Sequence, residues 1–228
     1  MKRWTVAVGT VLAGSLAGTA PAAAQAGHVS GRITIQEKNS APSSDLGDAV
    51  VYLEGQGASL APARIEITIS DKTFSPHVLV VPVGTTVAFP NHDPFDHNVF
   101  SVSDSNSFDL GLYGRGEGKA TVFRYPGLVR VFCNVHPRMV ALVQVMATHH
   151  FAQAGADGSF TINGVEPGDY KLHVWHERAS QEFVRDVIVG PNGVTDIQVA
   201  LNARGFRWQP HKNKFGKDYP TNAGRERY

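Results

Sequence analysis

The sequence predicts an all-β protein built from two β-sandwiches. Three observations carry that expectation. Short runs of β-branched and aromatic residues recur along residues 27–202, bounded by Gly, Pro, Ser, Asn or Asp. No segment in that span sustains the 3.6-residue apolar period of an amphipathic helix. The turn signals change near residue 150, where Asp-Gly and Pro-Gly pairs begin to space the strands.

Taken in order, Val29–Gln36 and Ala49–Glu54 are the first predicted strands. Arg64–Ser70 alternates, with Ile65, Ile67 and Ile69 on one face and Glu66, Thr68 and Ser70 on the other, as a half-buried strand requires. Val78–Val83, Thr85–Phe89, Asn98–Val102, Ala120–Arg124, Leu128–Cys133 and Val140–Ala147 follow, with Val83-Gly84 and Pro126-Gly127 as turns. Beyond residue 150 come Phe160–Asn163, Tyr170–Trp175, Phe183–Val189 and Thr195–Leu201, punctuated by Asp157-Gly158 and Pro167-Gly168.

Residues 1–26 read as an export signal. Lys2 and Arg3 form its positive end and Val6–Leu16 its apolar run. Ala22-Ala23-Ala24 or Ala24-Gln25-Ala26 offers the small-x-small cleavage site. That run is too short and too rich in Ala and Gly for a stable bilayer span, although a retained anchor is the alternative. No other apolar stretch is long enough to cross, so we expect no membrane span in the mature chain and a periplasmic location.

Charge is unevenly placed. Residues 203–228 hold seven Lys or Arg against two acids, while residues 27–202 hold 12 basic and 18 acidic residues. The basic tail is expected to fold back on this acidic body; the alternative is an acidic partner. Its Phe206, Trp208, Phe215 and Tyr219 alternate with cations in a way that suits nucleic acid, but export argues against that partner. A single cysteine, Cys133, cannot form an internal disulfide. In an oxidising compartment a lone thiol must be buried or bound.

Cys133 opens the run Cys133-Asn134-Val135-His136-Pro137-Arg138-Met139, a Cys-x2-His-x2-Met loop after a predicted strand. Thiolate, imidazole and thioether are three of the four donors of a blue-copper site, which needs a second imidazole from elsewhere. His77, His92 and His97 are the candidates. Val87-Ala88-Phe89-Pro90-Asn91-His92-Asp93, followed by His97-Asn98-Val99-Phe100, resembles the cupredoxin family. Phe74-Ser75-Pro76, Val83-Gly84-Thr85-Thr86-Val87, Phe108-Asp109-Leu110-Gly111 and Tyr125-Pro126-Gly127 extend that resemblance over residues 65–147.

The resemblance implies a Greek-key sandwich whose single type 1 copper is held by His97, Cys133, His136 and Met139. It implies a one-electron carrier, not an enzyme, acting between a periplasmic redox donor and acceptor. The short ligand spacing is similar to that of amicyanins, which implies a link to amine oxidation and methylamine utilisation. Asn98 would send its backbone N–H to the Cys133 sulfur and tie the ligand loops with its side chain. His136 would reach the surface as the electron port, ringed by Phe95, Pro94 and Pro137. With every coordination position filled by protein, no position stays open for substrate.

Asp157-Gly158-Ser159-Phe160 and Pro167-Gly168-Asp169-Tyr170-Lys171-Leu172 resemble transthyretin-like modules related to the carboxypeptidase regulatory domain. Ser30-Gly31-Arg32-Ile33 and Ala49-Val50-Val51-Tyr52-Leu53 resemble the opening half of the same modules. The expected division is a discontinuous transthyretin-like sandwich, 27–58 plus 149–202, with a cupredoxin domain, 59–148, inserted, and a basic aromatic tail, 203–228. The alternative is that the first strands join the cupredoxin sheets. His149, His150, His173 and His176 are assigned to packing or exposure, and Trp175 and Tyr170 to the core in preference to sugar binding. Two other functions stay open: copper handling without electron transfer, and a structural or carbohydrate-binding protein that carries a cupredoxin domain.

Overall fold

A computed structural model describes residues 26–38, 41–55 and 60–220. The predicted export signal, except for residue 26, and the last eight residues of the tail lie outside the described residues. The protein is all-β. Its strands are β1 (Gly27–Gln36), β2 (Val50–Glu54), β3 (Arg64–Glu66), β4 (Thr68–Ser70), β5 (Thr73–Ser75), β6 (Val78–Pro82), β7 (Thr86–Asn91), β8 (His97–Ser101) and β9 (Phe108–Tyr113). They continue with β10 (Gly116–Val122), β11 (Gly127–Cys133), β12 (Val140–Met146), β13 (Phe151–Gln153), β14 (Ser159–Val165), β15 (Gly168–Trp175), β16 (Phe183–Val189) and β17 (Val194–Asn202).

Among the described residues, four sheets stack in two pairs. One pair comprises the sheet β10-β7-β4-β5, with β3 also on β7, and the sheet β6-β12-β11-β8-β9. Their facing side chains, among them Ile67, Ile69, Phe74, Phe89, Val99, Phe123, Val131 and Val143, form one buried core. The other pair comprises β14-β1-β17 and β13-β2-β15-β16 around Val29, Ile33, Leu53, Phe160, Ile162, Leu172 and Val199. Alternation explains both: along β11, Val129, Val131 and Cys133 point inward while Leu128, Arg130 and Phe132 point out.

A third apolar cluster joins the pairs. Val78 and Leu142, with Val80, Leu128 and Val140, pack against Val50, Tyr52 and Trp175. Trp175 is thus packing surface between sandwiches. Tyr170 is buried in the second core, its hydroxyl donating to the Glu166 carbonyl at 3.0 Å.

Two local readings change. Arg64–Ser70 is not one strand: Ile67 interrupts it, its N–H donating to Ala88 O at 2.9 Å, so Ile65 is only partly covered while Ile67 and Ile69 are fully buried. No strand is predicted between Val102 and Ala120, yet β9 occupies Phe108–Tyr113 and β10 begins at Gly116, ahead of the predicted Ala120. Gly118 makes this feasible, with φ of 71° beside a register shift. A Cβ there would meet the Phe89 carbonyl oxygen at 1.8 Å, so the glycine marks a bulge where two backbones touch.

Candidate metal centre

The end of β11 and the start of β8 are antiparallel neighbours, with Cys133 opposite Val99, which brings His97 beside the thiol. The loop after Cys133 folds back tightly. Met139 N–H donates to His136 O at 3.1 Å and Cys133 N–H donates to Met139 O at 3.3 Å. Those bonds return Cys133, His136 and Met139 to one end of the core. His97 and Cys133 are fully buried, Met139 is 1% exposed and His136 4%.

Cys133 Sγ lies 3.6 Å from His97 Nδ1 and 3.6 Å from His136 Nδ1, and the two nitrogens are 3.2 Å apart. A point equidistant from the three atoms lies about 2.0 Å from each, the length of a metal–nitrogen bond and slightly short of a metal–sulfur bond. Two imidazoles, one thiolate and a thioether on the same loop fit a soft or borderline ion, with copper foremost.

Asp93 orients this set. His97 Nε2 is 2.8 Å from Asp93 Oδ2, so the ring donates there and turns the lone pair of Nδ1 toward Cys133. The same carboxylate accepts from the backbone N–H groups of Asp71, at 2.7 Å, and Lys72, at 3.0 Å. Both residues have positive φ, 53° and 56°, so Asp93 also holds a tight turn. Burial pushes its pKa up, but the Lys72 N–H, the His97 ring and the Asp71 N–H outweigh burial and hold it below the usual aspartate value. Asp93 was visible in the sequence as part of the Phe-x-Asn-x-Asp strand end, but not as the residue that fixes the histidine.

A second network ties the tail to the centre. Asn98 O accepts from Asn134 N–H at 2.9 Å, and Asn134 Oδ1 accepts from Lys214 N–H at 2.9 Å. Lys214 Nζ reaches Asp109 Oδ2 at 2.6 Å, and Asn98 Nδ2 donates to Asp109 Oδ1 at 2.6 Å. The ring of bonds closes through four residues on β8, β9, the ligand loop and the tail. Tyr219 completes the attachment, donating to the Cys133 carbonyl at 2.9 Å. His211 stacks on Phe132 at 4.4 Å, and Arg138 lies over Trp208 at 5.1 Å.

Other sequence readings are placed as follows. The Asn98 side chain goes to Asp109; its backbone carbonyl, not its side chain, joins the two ligand segments. Val135 N–H approaches the Cys133 sulfur at 3.4 Å. His92 is exposed, and His77 bonds Glu177 and the Val140 carbonyl, so neither shares the cluster. His136 does not present an open edge. Phe95 packs 5.7 Å from it and 5.4 Å from His97, with Lys72 over the Phe95 ring at 5.1 Å. Phe95 and Pro137 are both half-buried, and Pro94 is exposed.

Fold and donors together define an all-β sandwich protein with a buried candidate metal centre of two imidazoles, a thiol and a thioether. A purple cupredoxin from Nitrosopumilus maritimus is similar at 30% identity over 36% of this chain and 99% of its own, with a TM-score of 0.33. A reduced amicyanin mutant is similar at 24% identity over 36% of this chain and 82% of its own, TM-score 0.34. A copper-containing nitrite reductase from Thermus scotoductus SA-01 is similar at 26% identity over 50% of this chain, TM-score 0.35; the chain spans 28% of that protein. The family model described as polysaccharide lyase family 4, domain II, matches residues 144–197. No curated protein matches the chain.

Proposed function

We propose that this chain is an exported type 1 copper protein that carries single electrons between periplasmic redox partners. The observation that carries the reading is the buried triangle of His97 Nδ1, His136 Nδ1 and Cys133 Sγ, with edges of 3.6, 3.6 and 3.2 Å. Met139, buried on the same loop, would supply the thioether donor. Copper held there would supply one-electron redox chemistry between its Cu(I) and Cu(II) states. The chain does the rest. The Asp93 hydrogen bond keeps His97 in one tautomer, and the loop bonds and the tail fix Cys133 and His136. The core and Phe95 keep water away, so little must move when charge changes. Residues 1–26 would direct export, and division into an inserted cupredoxin domain, a transthyretin-like sandwich and a tail belongs to the same proposal.

The tail supports an acidic partner. Where the tail contacts the ligand loop through Trp208, Lys214 and Tyr219, it also exposes Arg207, Lys212, Lys217 and Phe215, the last 73% exposed. Cations around exposed aromatic side chains suit a redox protein with an acidic docking face.

The test is direct. The full chain loaded with Cu(II) should show strong visible thiolate-to-copper absorption and a narrow copper hyperfine splitting. Cys133→Ser should abolish both while the circular dichroism of the fold persists. A colourless protein with stoichiometric copper overturns the reading. Copper release to a chelator without electron exchange would select a copper-handling role.

A further inference from the structure

The link from β12 to β13 carries two consecutive histidines, His149 and His150, at the joint between the two pairs of sheets. The turn from β14 to β15 brings Glu166 to the same place. One donor atom from each of His149, His150 and Glu166 lies within 4.8 Å of the others. His150 is fully buried. Its Nε2 is 3.2 Å from Glu166 Oε2 and 3.2 Å from the Gly164 carbonyl oxygen. Its Nδ1 is buried with no hydrogen-bond partner. The His149 ring lies 3.8 Å away, centroid to centroid, at 49°.

The nitrogen that faces Glu166 is Nε2, so Nε2 is the atom that would bind an ion, while the unpartnered Nδ1 lies across the ring and makes this a costly place for a merely structural imidazole. Packing alone would favour an apolar ring here. The arrangement instead gathers two imidazoles and a carboxylate from two separate segments. Glu166 is 61% exposed, so it opens the cluster to solvent and can swing to shorten the donor distances.

We propose that His149, His150 and Glu166 form a second metal site, separate from the thiol-containing centre, that takes a borderline divalent ion such as zinc. Two imidazoles and one carboxylate, with room for water, form a zinc donor set. The absence of sulfur among them selects against Cu(I), which prefers thiolate and thioether. An ion there pins the 147–150 link to the β14–β15 turn. The site acts as a clip at the joint of the sandwiches, and its occupancy does not depend on the copper reading.

Zinc chloride added to the copper-loaded full chain should slow amide hydrogen exchange in peptides covering residues 147–166 and raise the melting midpoint. Glu166→Gln, a change at an exposed side chain, should weaken that zinc binding by about tenfold or more, and His149→Gln likewise. His150→Gln should abolish it, and Glu166→Gln keeps the test decisive if the buried change unfolds the protein. Glu166→Gln and His149→Gln should both keep the visible colour of the copper-loaded chain. Zinc protection that appears elsewhere, or that is equal in wild type and Glu166→Gln, overturns the proposal. Colour alone reports on the thiol centre, so failure of one site is distinguishable from failure of the other.

Discussion

Asp93→Asn is the sharpest probe of how the protein holds His97. The change removes one oxygen and a charge and keeps the shape. The carboxylate accepts three hydrogen bonds, at 2.7 Å from Asp71 N–H, 3.0 Å from Lys72 N–H and 2.8 Å from the His97 ring. An amide has one acceptor oxygen. Either Asp71 N–H or the pair of Lys72 N–H and His97 then faces an NH2 group, donor against donor. Each hydrogen bond to a charged acceptor contributes about 1.5–3 kcal/mol, so the apoprotein should lose about 2–4 kcal/mol. If the NH2 faces His97, the ring accepts at Nε2 and its proton moves to Nδ1, the atom that faces Cys133. Copper affinity should fall about 10- to 100-fold, the usual cost of removing an orienting partner. Urea unfolding of the apoprotein measures the first effect and competition with a copper chelator the second. Unchanged midpoint and unchanged affinity together would refute the claim that Asp93 sets the tautomer.

Tyr219→Phe should cost about 1 kcal/mol by removing the hydroxyl's hydrogen bond to the Cys133 carbonyl, and should shift the reduction potential; melting and voltammetry read the two, and no change in either would detach the tail from the centre. Arg207→Glu with Lys212→Glu should slow electron exchange with an anionic iron cyanide complex and speed it with a cationic cobalt complex, without changing the absorption; equal rates with both would place exchange elsewhere. His77 is held above the ordinary histidine value by its hydrogen bond to Glu177, against burial, with the Glu177 and Asp48 charges adding to the upward shift. Its folded pKa exceeds the unfolded one. The link between sandwiches is therefore fully stabilising below the ordinary histidine value and weakens as pH rises through the elevated one. Urea midpoints measured from pH 6 to 9 should fall in wild type and stay flatter in His77→Gln. Gly118→Ala should destabilise by about 2–4 kcal/mol, because a Cβ meets the Phe89 carbonyl and the left-handed backbone resists a side chain; an unchanged melting midpoint would refute the bulge.

Strand periodicity was legible wherever one face was buried. β1, β11 and β15 alternate cleanly because their inward residues have a core to meet. β9 and the first half of β10 were not legible, since these strands are mostly exposed and Gly118 serves backbone approach and carries no apolar face. The donors could be read because three sit on one loop and chemistry limits their types. His97 could be singled out from His77 and His92 only through resemblance, since spacing along the chain does not say which strand end lies beside Cys133. The supporting groups were invisible for a different reason. Asp109, Asn134, Lys214 and Tyr219 meet across separations such as 80, 86 and 105 residues, and no local pattern encodes that. The covered edge of His136 likewise depends on where one aromatic ring, Phe95, comes to rest.

The placement of β1 has a consequence for how the chain is assembled in time. β1 lies between β14 and β17, and β2 between β13 and β15, so the first strands to emerge pair with some of the last. An entire sandwich must be made and packed before those early strands find neighbours, and long waits of this kind slow folding and leave edges open to wrong partners. The same order holds at the metal loop, where the closing hydroxyl of Tyr219 comes from beyond β17. Synthesis must therefore pass β17 before the first of these strands has both neighbours, and pass Tyr219 before the thiol loop is latched.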